Sequence, residues 1–172
     1  MEILNGVLSD PRPLEEKQRD HLHEERYSGM PAIWIEKTKD QWKLPSQRFQ
    51  DGSYSCVEQS VADALEPMIS EVVSAISYKL RDGGGQGMWL QNAGDIAYNI
   101  GFTSESVSCS QNMNDAQIDS SPTPEWKWKV TGYRTMLDHT NIDIISEAIQ
   151  AYGHCVLTFE SNGDEWQLTP RY

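Results

Sequence analysis

An α+β chain with two unlike lobes is what this sequence predicts. Three helical segments follow one another in its first two thirds, and alternating, aromatic-rich strand patterns with one further helix fill the last third. A glycine-rich run, Asp82-Gly83-Gly84-Gly85-Gln86-Gly87, separates the second and third helical segments. On these observations the chain divides into an N-terminal extension with a first strand (residues 1–43), a helical lobe (44–125) and the start of a β-rich lobe (126–172), which is incomplete.

Each element has a local cause. The polar stretch from Leu14 to Tyr27 predicts a short surface helix, and Ala32, Ile33, Trp34 and Ile35 form an apolar cluster fit for a strand. Pro45 to Ser55 is turn chemistry. A helix is expected from Cys56, capped by Ser53 or Ser55, with Val57, Val61, Ala62 and Leu65 on one face and Pro67 as its end. A second is expected from Ser70, with Val72, Val73, Ile76 and Leu80 inward, and a third from Trp89 to Gly101, a C′ glycine. Residues 102–125 read as loop. Trp126, Trp128 and Val130 alternate with Lys127 and Lys129, the pattern of a half-buried strand. Asn141 or Asp143 caps a helix ended by Gly153, His154 to Phe159 predicts a strand, and Asn162-Gly163 predicts a hairpin returning through Trp166 to Thr169.

Bulk chemistry narrows the function. The 172 residues carry 26 acidic and 14 basic side chains, a formal net charge of −12, with no Lys/Arg stripe. Nucleic acid is therefore an unsuitable partner, because phosphate affinity rests on clustered Lys and Arg. The acidity suits solubility or basic substrates and partners. No apolar run approaches the ~20 residues of a membrane span, and the first residues lack the basic start of a signal peptide. The three cysteines, Cys56, Cys109 and Cys155, form no CxxC pair. That spacing argues against a disulfide framework and a zinc site, and for the cytoplasm or another reducing compartment. No cofactor or metal is expected.

The segment that carries chemistry is Gln50-Asp51-Gly52-Ser53-Tyr54-Ser55-Cys56. A thiol at a helix N-terminus sits at the positive end of the macrodipole, beside backbone N–H groups that have no helical partner. Here the sequence resembles the papain-like cysteine peptidases, whose pattern Q-G-S-C-G-S-C-W has a glutamine six residues before a cysteine that opens a long helix. Gln50, Ser55 and Cys56 match; Ser53, Tyr54 and Val57 depart, standing where the family has a half-cystine, a glycine and an aromatic residue. Three further segments occur in the family's order: Ile69-Ser70-Glu71-Val72-Val73, the glycine run with residues 89–102, and residues 133–168. The resemblance covers roughly residues 44–172.

The resemblance implies a two-lobe papain-like fold and a thiol peptidase acting on peptide or protein substrates. Cys56 would be the nucleophile, and Gln50 with the Cys56 N–H would form the oxyanion hole. Gly85 and Gly87 would line the substrate backbone, and Trp89 and Leu90 the apolar pocket for the side chain two before the scissile bond. Absence of the family's left-lobe half-cystines, at Ser53 and just before the glycine run, fits a reducing environment and a viral, phage or bacterial origin. The family's histidine lies about 130–150 residues beyond the cysteine, past residue 172, so the chain is expected to be a fragment inactive alone. His21 and His23 read as solvated, His139 as a surface residue, and His154 as the start of a strand. Simpler readings stand beside these: Cys56 as a core thiol, the glycines as a turn, Trp89 as core packing. The alternative function is a non-catalytic peptide-binding or assembly module of the same fold.

Overall fold

The computed structural model describes residues 10–18, 48, 50, 52–136 and 140–156. Their regular structure is helical: α1 (Leu14–Lys17), α2 (Cys56–Ile69), a 3₁₀ helix (Ile76–Leu80), α3 (Leu90–Asn99), α4 (Asp115–Ser120) and α5 (Ile142–Tyr152). Among the described residues there is no strand; the isolated bridges include the antiparallel pairs Val73 with Ser104 and Phe102 with Trp128, and Met88 and Thr135 are also bridge residues. This corrects the predicted α+β class and its papain-like two-lobe form with a β-rich lobe. The Trp126–Val130 alternation does produce alternating burial, with Trp126, Trp128 and Val130 half-buried between exposed lysines. Only Trp128 finds a bridge partner, however, and one rung makes no sheet. His154, Cys155 and Val156 are irregular. The strand expected at 32–35, the hairpin at Asn162-Gly163 and its return lie outside the described residues.

α2 begins where its sequence predicts and runs further. Pro67 forfeits one ladder bond, yet the last turn closes through the Ser70 N–H to the Glu66 carbonyl at 2.8 Å. Ser70 then ends the helix in the left-handed region, φ 58°. The predicted second helix is thereby displaced. Val72 and Val73, a β-branched pair suited to extended backbone, pair with the Ser104 segment instead: the Ser74 N–H donates to the Thr103 carbonyl and the Glu105 N–H to the Val72 carbonyl, both at 2.9 Å. Only after Ser74, whose Oγ accepts from the Ile76 N–H at 3.1 Å, does the 3₁₀ turn form.

α2 and α3 form the centre of the core, each contributing to two apolar clusters. Val57, Ala93 and Ile96 join Ile76, Tyr78, Met88 and Ile118 in the first. Ala62 and Ala97 join Val73, Ala75 and Phe102 in the second. Burial of a large side chain such as Phe102, 1 % exposed, stabilises by about 1.5–3 kcal/mol. α3 packs close to Tyr133 because Gly94 has no side chain; a Cβ there would lie 2.9 Å from the tyrosine ring.

Candidate functional site

Cys56 is the first residue of α2, half-buried, at the edge of the first cluster. The thiol is thus neither mid-helix nor sealed. Ser55 occupies the N-cap position but makes no capping bond. Its Oγ instead meets Ser53 Oγ at 2.7 Å and accepts from the Gln59 amide at 3.4 Å. Diversion of the cap hydroxyl leaves the helix head free of a serine oxygen competing for its N–H groups.

The loop before the thiol is tied on both sides. Gln50 and Ser53 bond reciprocally: the Gln50 amide donates to the Ser53 carbonyl at 2.8 Å, and the Ser53 N–H and hydroxyl donate to the Gln50 carbonyl at 3.1 and 3.0 Å. Gly52 makes the turn with φ +82°. The Tyr54 N–H donates to Asp115 Oδ1, at the head of α4, at 2.9 Å. Gln50 thus lies in the loop that leads to Cys56, bonded to Ser53. The observed acceptor of its amide is the Ser53 carbonyl.

The glycine run forms an exposed loop with a buried exit. Gly83, Gly84 and Gly87 have φ of +80°, +59° and +81°, values that side-chain-bearing residues rarely adopt. Gly85 is exposed, while Gly87 and Met88 are buried. The Gly87 N–H donates to the Tyr78 hydroxyl at 2.8 Å. Trp89 is the half-buried N-cap of α3, and Leu90, its first residue, packs on the same cluster as Cys56 and Met88. The structure thus brings Cys56, Leu90 and the end of the glycine loop onto one apolar cluster.

Several buried polar contacts escaped sequence reading. Arg81 lies directly before the glycine run, with its side chain 2 % exposed and paired to Asp119 at 2.7 Å. Asp119 sits 38 positions away, and no local pattern announces it. Glu58, fully buried, bonds to Ser77, and burial pushes its carboxyl up to about 7. Burial raises the thiol of Cys155 and also that of Cys109, where Glu105 adds to the effect. None of the three cysteines is in a disulfide. Of the histidines, His154 is half-buried, and His21, His23 and His139 lie outside the described residues. A cleft of about 180 Å³ between the end of the 3₁₀ helix and α3 is lined by Asp82, Asn92, Asp95 and Asn99 among others. Cys56 does not line it.

Among the described residues no His/Cys/Asp/Glu group has the arrangement of a metal site, and no helix is long and apolar enough to cross a membrane. No family model matches the chain, and no curated protein matches it.

Proposed function

We propose that this chain carries the nucleophile of a cysteine-type peptidase, with Cys56 attacking the carbonyl carbon of a peptide bond. The observation that carries the reading is the half-exposed thiol on the first residue of a 14-residue helix whose N-cap hydroxyl is turned away. The resemblance of residues 50–56 to the papain-like active-site segment supports it, although the described architecture is helical. Attack converts the carbonyl to a tetrahedral oxyanion, which the Cys56 N–H and the Gln50 amide would hold. The C–N bond then breaks, the amine leaves with a proton from the base, and water hydrolyses the thioester. His154 and His139 are the candidates for the base among the residues that follow Cys56.

A peptidyl epoxide incubated with the protein tests the assignment, with labelled residues read by mass spectrometry. Cys56 is expected to react at least about ten-fold faster than Cys109 or Cys155. Replacement of the base histidine, tried at His139 and at His154, abolishes that preference. Equal labelling of the three thiols would favour the non-catalytic binding module instead.

A further inference from the structure

We propose that the cleft between the 3₁₀ helix and α3 is a binding site for an arginine of a basic polypeptide, taking its side chain together with a carbonyl of its backbone. The site stands apart from the peptidase reading, since Cys56 does not line it. Its α3 wall is one helical face: Asn92, Asp95, Ile96, Asn99 and Ile100 recur every three or four residues. The end of the 3₁₀ helix and the residues after it supply Leu80 and Asp82. The volume, about 180 Å³, falls below the ~300–1,000 Å³ of sites that enclose a whole small molecule. It suits one side chain.

Asn92 is the residue that points to a ligand. It is 4 % exposed, and its Oδ1 accepts the Asp82 N–H at 3.0 Å. That bond fixes which end of the carboxamide is which. The amide nitrogen has no acceptor among the described residues, yet Asn92 lines the cleft. A nearly buried donor is matched by an acceptor such as a peptide carbonyl. The two carboxylates are also open to a ligand. Asp95 Oδ1 takes the Tyr133 hydroxyl at 2.5 Å, but its Oδ2 and the Asp82 carboxylate have no protein partner among the described residues. Neighbouring cations are engaged elsewhere: Arg81 pairs with Asp119, and Lys79 donates to the Ser121 carbonyl. Lys129 bonds the Asn99 carbonyl at 2.6 Å without lining the cleft. The complement of these walls is an aliphatic stem against Leu80, Ile96 and Ile100, a cation for two carboxylates and a carbonyl for Asn92. Arginine meets all three, and its planar fork reaches two carboxylates where a lysine ammonium presents one point charge. A net charge of −12 draws such a partner.

The test is titration of the protein, followed by amide chemical shifts, at about 0.15 M salt, where long-range attraction to the acidic surface is screened. Three probes are compared up to about 10 mM: N-acetyl-arginine N-methylamide, its neutral citrulline counterpart, and n-butylguanidinium, which has the cation and stem but no carbonyl. The arginine probe is expected to shift Asn92, Asp95 and Asn99 saturably. Butylguanidinium binds the same residues about ten-fold more weakly, and the citrulline probe leaves them unmoved. Asp82→Asn, at an exposed carboxylate without a protein partner, weakens the arginine probe at least about five-fold. Equal shifts with the citrulline probe, unchanged affinity in Asp82→Asn, or unsaturated shifts scattered over the acidic surface would overturn the site. Equal affinity for butylguanidinium would overturn the carbonyl contact at Asn92, and the polypeptide ligand with it. None of these results bears on the labelling of Cys56, so the two readings stand or fall separately.

Discussion

Glu58 and Ser77 meet inside the core: one carboxyl oxygen of Glu58 accepts the Ser77 hydroxyl, joining α2 to the 3₁₀ helix, while the other is buried with no hydrogen-bond partner. Glu58 lies two positions beyond Cys56, so this contact seats the helix head that carries the thiol. A buried carboxylate with one donor is costly to ionise. Burial accordingly lifts its pKa from 4.5 to about 7, against the opposing effect of the Ser77 bond. Between those values the folded chain holds a proton that the unfolded chain has released. Stability contributed by the neutral form is therefore full below pH 4.5 and is lost as pH rises through 7, by about 3 kcal/mol in all. Urea unfolding between pH 5 and 8 should show this decline, and Glu58→Gln, already neutral, should flatten it and gain stability at pH 8. An unchanged slope in Glu58→Gln would show that another group titrates.

Arg48 is a second buried charge with a long reach. Its side chain is 5 % exposed and pairs with Asp63 and Glu66 of α2. It also donates to the Gln59 side chain at 2.9 Å and to the Val73 carbonyl. The segment before α2 is thus joined to the helix and to the extended residues after it. Burial raises the Asp63 carboxyl despite the neighbouring guanidinium. Arg48→Met leaves Glu66 buried without that cation, and a loss of about 3–5 kcal/mol is expected. Equilibrium unfolding measures it. Arg48→Lys should recover only part, since one ammonium cannot span these four acceptors.

Elements governed by neighbours in sequence were legible, and those governed by distant partners were not. α5 was readable at both ends because Asn141 caps it through its own side chain, accepting from the Asp143 and Ile144 N–H groups, and Gly153 ends it at φ 85°. Cys56 as a helix head was readable for the same kind of reason. α4 was missed although Asn114 and Gln117 form a reciprocal capping box; six residues with one buried side chain, Ile118, give no periodicity to detect. The helix expected from Ser70 failed because the spacing of Val72, Val73, Ile76 and Leu80 fits a helical face, whereas pairing with Ser104 decided the backbone. A β-rich lobe was inferred from His154 to Phe159, from the Asn162-Gly163 hairpin and from the alternation at Trp126 to Val130, and that alternation reports half-burial and cannot supply partner strands. Among the candidate site residues, Cys56 and Gln50 were proposed from local pattern. Arg81–Asp119 and Glu58–Ser77 were invisible because their separations are 38 and 19 residues.

Gly101 provides the sharpest contrast among the glycines. It follows α3 with φ +109°, and a Cβ built on it would lie 2.2 Å from the Trp128 carbonyl oxygen. That oxygen is not free to retreat: it accepts the Phe102 N–H at 2.7 Å, and the Trp128 N–H returns to the Phe102 carbonyl at 3.0 Å. A methyl group there must break the bridge that carries Trp128 onto the second cluster, besides forcing a strained backbone. Gly101→Ala is therefore expected to cost about 3–5 kcal/mol. Gly83 and Gly84 also have positive φ, at +80° and +59°, but nothing lies within 4 Å of their Cβ positions. Alanine at either should cost only about 1 kcal/mol, the backbone strain alone. Urea midpoints of the three variants separate the two causes. Equal losses would mean that backbone conformation sets the cost at all three, and that the Trp128 carbonyl does not enforce glycine at position 101.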